Sequence, residues 1–195
     1  MSILKSTIAV AFLGFSVISF AATNVALNAP VTLNGTFSTN GWGGPISANA
    51  ATLTDNVFLP ASTQWDTGTV WWNGFDNPDN TIQIDLGGQF SISSLILQAD
   101  DNDLYPILYR NGAADPWQSV WNAPIVGGFG MQTRSSDPLS IVATSFLIGN
   151  GVGDGFYSVS EFQAIGAPVP EPETYALLLG GLGLIGFMTR RRKNE

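Results

Sequence analysis

The chain has 195 residues, a net charge of −8, and neither cysteine nor histidine. Disulfide staples are therefore excluded, as are histidine-based catalytic triads and the usual imidazole or thiolate centres for zinc, copper or non-haem iron. The acidity also excludes a nucleic-acid partner, which requires clustered Lys and Arg.

At the N-terminus, Met1 to Lys5 is a short positive region and Ile8 to Phe20 is almost wholly apolar. Ser19-Phe20-Ala21 puts small residues at the two positions a signal peptidase reads, so residues 1–21 are expected to be a signal peptide removed before Ala22. The alternative is a short membrane anchor. The passenger, residues 22–166, has the size of one domain with one core. It holds eleven Asp and one Glu against only Arg110 and Arg134, a net charge of −10. Most of its carboxylates have no basic partner, so any that is buried must be hydrogen-bonded, protonated or bound to a cation. Hard oxygen ligands without His or Cys favour calcium.

The first forty passenger residues, rich in Gly and Asn, read as loops. Trp42, Trp65, Trp71 and Trp72 stand in this polar half, where a ring either stacks on the apolar face of a pyranose or fills the core. Adjacent on a strand, Trp71 and Trp72 must face opposite ways, so at most one is in the core. Thr81 to Leu86 alternates with period two, and Gly87-Gly88 turns the chain into Ile92 to Ala99, so the two segments read as a hairpin. Asp85, between Ile84 and Leu86, reads as structural. Asp100-Asp101-Asn102-Asp103 follows. These acids either bind a second cation, accept hydrogen bonds from sugar hydroxyls, or form a plain solvated turn. The EF-hand spacing is missing.

Leu104 to Arg110, with Pro106 marking an edge or bulge, ends in the turn dipeptide Asn111-Gly112. Trp117 to Trp121 reads as the next strand, its two Trp residues packing. Arg134 either offers a planar fork to a sugar or pairs with a neighbouring Asp. Further strands are expected at Ile141 to Ile148 and Tyr157 to Ile165. No passenger segment sustains helical periodicity for three turns. The fold class is therefore all-β, an antiparallel sandwich or barrel.

Residues 167–195 have a different character. Pro170-Glu171-Pro172 is followed by an apolar run from Tyr175 to Met188 and then by Arg190, Arg191, Arg192 and Lys193. Stiff prolines, a bilayer-compatible run and a cationic stop occur in that order. The tail resembles the PEP-CTERM sorting signal of Gram-negative bacteria. The resemblance implies a single hydrophobic helix in the inner membrane, recognition by an exosortase-type membrane enzyme and cleavage near the Pro-Glu-Pro motif. The protein would then reside in the cell envelope, at the cell surface or in the extracellular matrix. A run of this length rises only about 21 Å as a helix against a hydrocarbon core of about 30 Å, which suits a transient signal better than a permanent anchor.

A second resemblance runs through the passenger. Asn24-Val25-Ala26-Leu27-Asn28-Ala29-Pro30-Val31 looks like the opening strand of discoidin domains, also called coagulation-factor C-type or galactose-binding-like domains. Leu53-Thr54-Asp55-Asn56, Thr63-Gln64-Trp65 and Trp71-Trp72 are similar to their first long loop. Thr81 to Gly87 is similar to their most recognisable strand and Val159 to Gly166 to their last. The resemblance implies an eight-stranded jelly-roll β-sandwich with ligand loops at one end. It also implies a structural calcium held by Asp55, the Thr63 region and Glu161. On the residues alone, Glu161 instead pairs with Arg110 or Arg134 or caps a turn, and Asp55 makes an Asx-turn with Asn56. The cysteine pair that ties the termini in animal discoidin domains is absent.

Three functions are consistent with these features. The first is an exported envelope or matrix protein binding exopolysaccharide or surface glycan through Trp42, Trp65, Asp100, Asp101, Asp103 and Arg134. The second is a structural matrix or biofilm protein without a specific ligand. A glycan-active hydrolase or lyase, which needs two carboxylates at fixed separation, is the least favoured; no G-x-S-x-G motif occurs and no enzyme activity is expected.

Overall fold

The computed structural model describes residues 21–38, 40–41, 44–45, 49–170 and 172–192. Trp42, Glu171, Lys193 and, apart from Ala21, the expected signal peptide lie outside the described residues. The strands are β1 (Thr23–Asn24), β2 (Val31–Asn34), β3 (Asn40–Gly41), β4 (Gly44–Pro45), β5 (Val70–Asn73), β6 (Thr81–Asp100), β7 (Tyr105–Arg110), β8 (Gln118–Ala123), β9 (Met131–Ser135), β10 (Ile141–Gly149) and β11 (Phe156–Pro168). They are followed by the helix α1 (Pro172–Arg192). Nine strands form one antiparallel hydrogen-bonded network wrapped into a β-sandwich, and β3 pairs with β4 alone.

The strand β6 organises the sandwich. Its first part pairs with β2 and its later part with β9 and β11, while β10 runs beside both. Ile141 faces Ile92 and Ala143 faces Phe90, but Ser145 faces Asp85, so the intervening residues of β6 bulge out opposite Thr144. The expected hairpin between Thr81–Leu86 and Ile92–Ala99 is therefore corrected: these segments are successive parts of one strand and do not pair with each other. Fully extended, twenty residues would span roughly 60 Å. Instead the strand returns toward the pole where it began, because Thr81 lies opposite Gly149 while Leu104, four residues past Asp100, bridges Val152. The strand thus bends between layers, and Gly87 at φ +72° supplies the backbone conformation the bulge requires, with its N–H on Asp85 Oδ1 at 3.0 Å.

Period-two alternation buries Ile82, Ile84 and Leu86 from the first part of β6 and Leu95, Leu97 and Ala99 from the second. Phe146 and Phe162 meet at 5.2 Å between ring centroids, and Trp72 is fully buried while Trp71 is half-buried, as adjacent strand positions require. The strand β11 is buried along nearly its whole length. Ser160 on this strand is satisfied: its Oγ donates to Gln98 Oε1 at 2.7 Å, and the Gln98 amide exchanges two hydrogen bonds with the Leu59 backbone. Across the layers, Tyr105 Oη donates to Ser158 O at 3.0 Å and accepts from Ser158 N at 2.9 Å.

Two boundaries differ from expectation. Asn24 Oδ1 accepts from Ala26 N at 3.1 Å and Asn28 sits at φ 57°, so the opening segment turns after two residues instead of running extended to Val31. At the other end β11 continues to Pro168, and Val169 N donates to Gln89 O at 3.0 Å. Pro172 to Arg192 is helical, but no helix among the described residues is long and apolar enough to cross a membrane. The helix is polar at both ends, and glycines 180, 181, 183 and 186 dilute its apolar part. Its Leu177, Leu184 and Phe187 side chains are exposed.

Candidate functional site

Several loops meet where β6 begins and ends. Gly74 N donates to Gly155 O at 2.7 Å, Val126 N to Asp101 O at 3.1 Å and Met131 N to Thr63 O at 2.9 Å. Asn150 Nδ2 donates to Asn77 O at 3.2 Å. Segments distant in sequence therefore form one continuous surface at this pole.

The acidic run lies within that surface but is not the solvated turn the sequence left open. Asp100, Asp101 and Asp103 are buried, and Asp103 is 0% exposed. Arg134 explains how they are held. It sits on β9 opposite Leu97, points inward and is only 4% exposed. Its Nε donates to Pro124 O at 2.6 Å, and its Nη2 donates to the carbonyls of Asp100 and Asp103. The guanidinium also lies 5.6 Å from the Tyr105 ring centroid. Arg134 thus binds backbone carbonyls, which neither sequence alternative anticipated.

Burial pushes the Asp100 carboxyl up to about 7, with the charges of Asp101 and Asp154 adding to the shift. Asp103 also rises to about 7, first through burial and then through the charges of Asp154 and Asp100. Asp154 belongs to this group: its N–H donates to Asp103 Oδ1 at 3.1 Å, and Asn102 Nδ2 donates to its Oδ2 at 2.9 Å. Asp103 Oδ2 has no hydrogen-bond partner. Sequence reasoning missed Asp154, although a carboxylate between Gly153 and Gly155 is a turn signal.

Beside the acids lies an aromatic cluster. Trp65 is half-buried, 5.0 Å from Trp71 in an edge-on arrangement and 5.9 Å from Phe156. Phe156 in turn meets Phe75 at 6.3 Å, and Phe75 is 73% exposed. Phe156 N donates to Asp154 Oδ1 at 2.9 Å, joining the rings to the acidic group. Trp71 Nε1 is buried without a partner. Phe75 and Phe156 were not recognisable as site residues, since single Phe residues in a β-rich sequence signal core.

Glu161 and Asp55 come together elsewhere. Glu161 is fully buried; Gln163 Nε2 donates to its Oε1 at 3.3 Å and to Asn56 Oδ1 at 2.7 Å, while Oε2 has no hydrogen-bond partner. Burial raises the Glu161 carboxyl to about 7; the Gln163 hydrogen bond opposes this and the Asp55 charge adds to it. Asp55 Oδ1 accepts from Val57 N at 2.9 Å, an Asx-turn. The alternative ion pairs are not formed, since Arg134 is engaged as above and Arg110 Nη1 donates to Ala113 O. Thr63 is tied instead to Pro60 O through its hydroxyl and to Met131 N through its carbonyl. Among the described residues, no group of three or more His, Cys, Asp or Glu could hold a metal.

The family model of the PEP-CTERM protein-sorting motif matches residues 168–193. The tail is a PEP-CTERM sorting motif. No curated protein matches the chain. Among solved structures, a point mutant of chitosan-binding module 1 from a chitosanase/glucanase of Paenibacillus sp. IK-5 is 22% identical, with TM-score 0.51 over 74% of this chain and 99% of that one. The family 32 carbohydrate-binding module of Clostridium perfringens NanJ, solved with galactose, is 18% identical, with TM-score 0.50 over 74% of this chain and 98% of that one. These likenesses establish the discoidin-like sandwich fold ahead of the PEP-CTERM tail.

The raised carboxyls give a pH dependence with a defined sign. Asp100, Asp103 and Glu161 move from 3.8, 3.8 and 4.5 to about 7, so between those limits the native protein holds protons that the unfolded chain has released. Their contribution therefore weakens stability as pH rises from about 4 to about 7 and is level above that. Thermal melting in chelator across this range should show a falling melting temperature. Asp103→Asn, which keeps the acceptor for Asp154 N, should flatten the slope; a wild-type curve that rises with pH would contradict the assignment.

Proposed function

We propose that this is an exported glycan-binding protein, delivered through its PEP-CTERM tail and binding polysaccharide at the loop pole of its sandwich. The observation that carries the reading is the partly exposed ring cluster of Trp65, Trp71, Phe156 and Phe75 set directly against the Asp103, Asn102 and Asp154 hydrogen-bond network. Apolar ring faces next to oriented polar groups match the two-sided chemistry of a sugar ring. Related folds solved with sugars, among them the galactose complex above, support the reading by analogy. Trp42 is kept as a further candidate ring from the sequence alone, and Asp100, Asp101 and Arg134 act chiefly by fixing the loops. The role is binding without catalysis.

Purified chain titrated against host exopolysaccharide should bind weakly, and Trp65→Ala should lower affinity by about tenfold, or about 1.4 kcal/mol, while remaining folded. The binding should persist in added salt, because ring stacking is not screened as charge attraction is over about 8 Å. Absence of binding in calcium-containing buffer, or full binding by folded Trp65→Ala, would sink the proposal.

A calcium ion at Glu161 fits the residues present. Its buried, unpartnered Oε2 beside Asp55 is a hard oxygen donor that a cation would satisfy. Thr63 contributes at most by positioning the preceding loop. Calcium should raise the melting temperature by mass action, increasingly so from pH 5 to pH 8 as Glu161 loses its proton, and Glu161→Gln should abolish the response. Identical melting in calcium and in chelator would remove the ion from the proposal.

The tail reading assigns Pro170, Glu171 and Pro172 to recognition by an exosortase-type enzyme and Arg190, Arg191 and Arg192 to orientation in the inner membrane of a Gram-negative host. Signal peptidase acts at the other end, and the mature protein resides in the envelope or extracellular matrix. Neutralising the three arginines should impair processing. Intact mass of the surface protein is the check: a species still carrying Arg192 would count against sorting.

A further inference from the structure

An open cavity lies away from the loop pole, at the bend of β6. It has a volume of about 330 Å³ and is lined by Asp85, Gly87, Gly88, Arg110, Thr144 and Ser145 among others. Its cause is the register skip between Ala143 and Ser145, which lifts the bulge of β6 off β10 and leaves space beside Thr144. The walls are pinned. Gln89 Nε2 donates to Asn111 Oδ1 at 3.0 Å, linking the bulge to the turn after β7, and Thr144 Oγ1 donates to Arg110 O at 3.2 Å.

Arg110 gives this cavity its chemistry. The passenger has two cations, and Arg134 is enclosed by loop carbonyls. Arg110 is held differently: its guanidinium lies 4.5 Å from the Trp117 ring centroid, and Nη1 donates to Ala113 O at 2.9 Å. Those contacts fix the plane of the group and leave Nε buried without a hydrogen-bond partner. Asp85, the Thr144 and Ser145 hydroxyls and the glycine backbone share the space.

We propose that this cavity binds a carboxylate-bearing saccharide, a uronic acid or a uronate residue of a polymer. One oriented guanidinium suits one carboxylate, which it can receive through a planar fork. Asp85 repels a second negative charge, which disfavours phosphate, while its free oxygen accepts hydrogen bonds from sugar hydroxyls. The neighbouring hydroxyls donate to or accept from the remaining ring oxygens. Discrimination thus requires a monoanion that also carries hydroxyls. In a domain of net charge −10, this is the local exception to general repulsion of anions.

The site stands independently of the loop-pole reading, and the experiment separates them. Purified full chain is titrated with glucuronate and galacturonate by ligand-observed NMR, with glucose and inorganic phosphate as comparators. Uronates should bind in preference to both. Arg110→Gln should weaken uronate binding by about tenfold or more, since hydrogen bonds to charged groups are among the stronger ones, and Arg110→Lys should restore it only partly. Gly88→Leu gives a second test, because a side chain there meets only the Phe90 ring, at 3.5 Å, and would obstruct the cavity with Arg110 intact. Trp65→Ala should leave uronate binding unchanged. The proposal is overturned by absence of uronate binding to wild type, by equal affinity for glucose, by loss of binding in Trp65→Ala, or by full binding in folded Gly88→Leu.

Discussion

The bend of β6 is the constraint on which the molecule depends. One strand supplies core residues to both layers, gives partners to β2, β9, β10 and β11, and returns to the pole from which it started. Because both of its ends lie at one pole, the loops entering and leaving it share one surface. The same bend forces the bulge opposite Thr144, so the loop pole and the Arg110 cavity are two products of one backbone event. A straight strand would have produced neither.

Much of this was legible in residue patterns. Period-two alternation identified the first part of β6, the second part and the positions of β10 and β11 were expected as strands, and the Asn111-Gly112 turn was marked by its composition. What the pattern could not convey was pairing. Gly87-Gly88 carries the same turn signal whether the chain folds back onto itself or bulges and proceeds, and only long-range register with β10 decides between them. The opening strand failed for a local reason, since Asn24 satisfies the Ala26 N–H with its own side chain and so competes with the sheet.

At the site, residue types were easier to anticipate than roles. Asp100 to Asp103 and Arg134 were conspicuous because charges are scarce, yet their burial depends on Arg134 donating to the carbonyls of Asp100, Asp103 and Pro124. Glu161 was recognisable from the strand it occupies, and its unpartnered oxygen follows from the depth of β11. Phe75, Phe156 and Asp154 gave almost no signal. Their proximity arises from β5 pairing with the start of β11, where Phe156 lies opposite Asn73.

The paired hydrogen bonds between the Tyr105 hydroxyl and the Ser158 backbone join β7 to β11 in a chain that has no cysteine. A phenol here acts as the cross-tie that many exported domains obtain by oxidation. The tie forms with folding itself and needs no oxidant, isomerase or correct pairing of thiols. The stability of the sandwich is consequently indifferent to redox poise, so the domain keeps the same internal bonding in a reducing cytosol as in an oxidising compartment beyond the membrane.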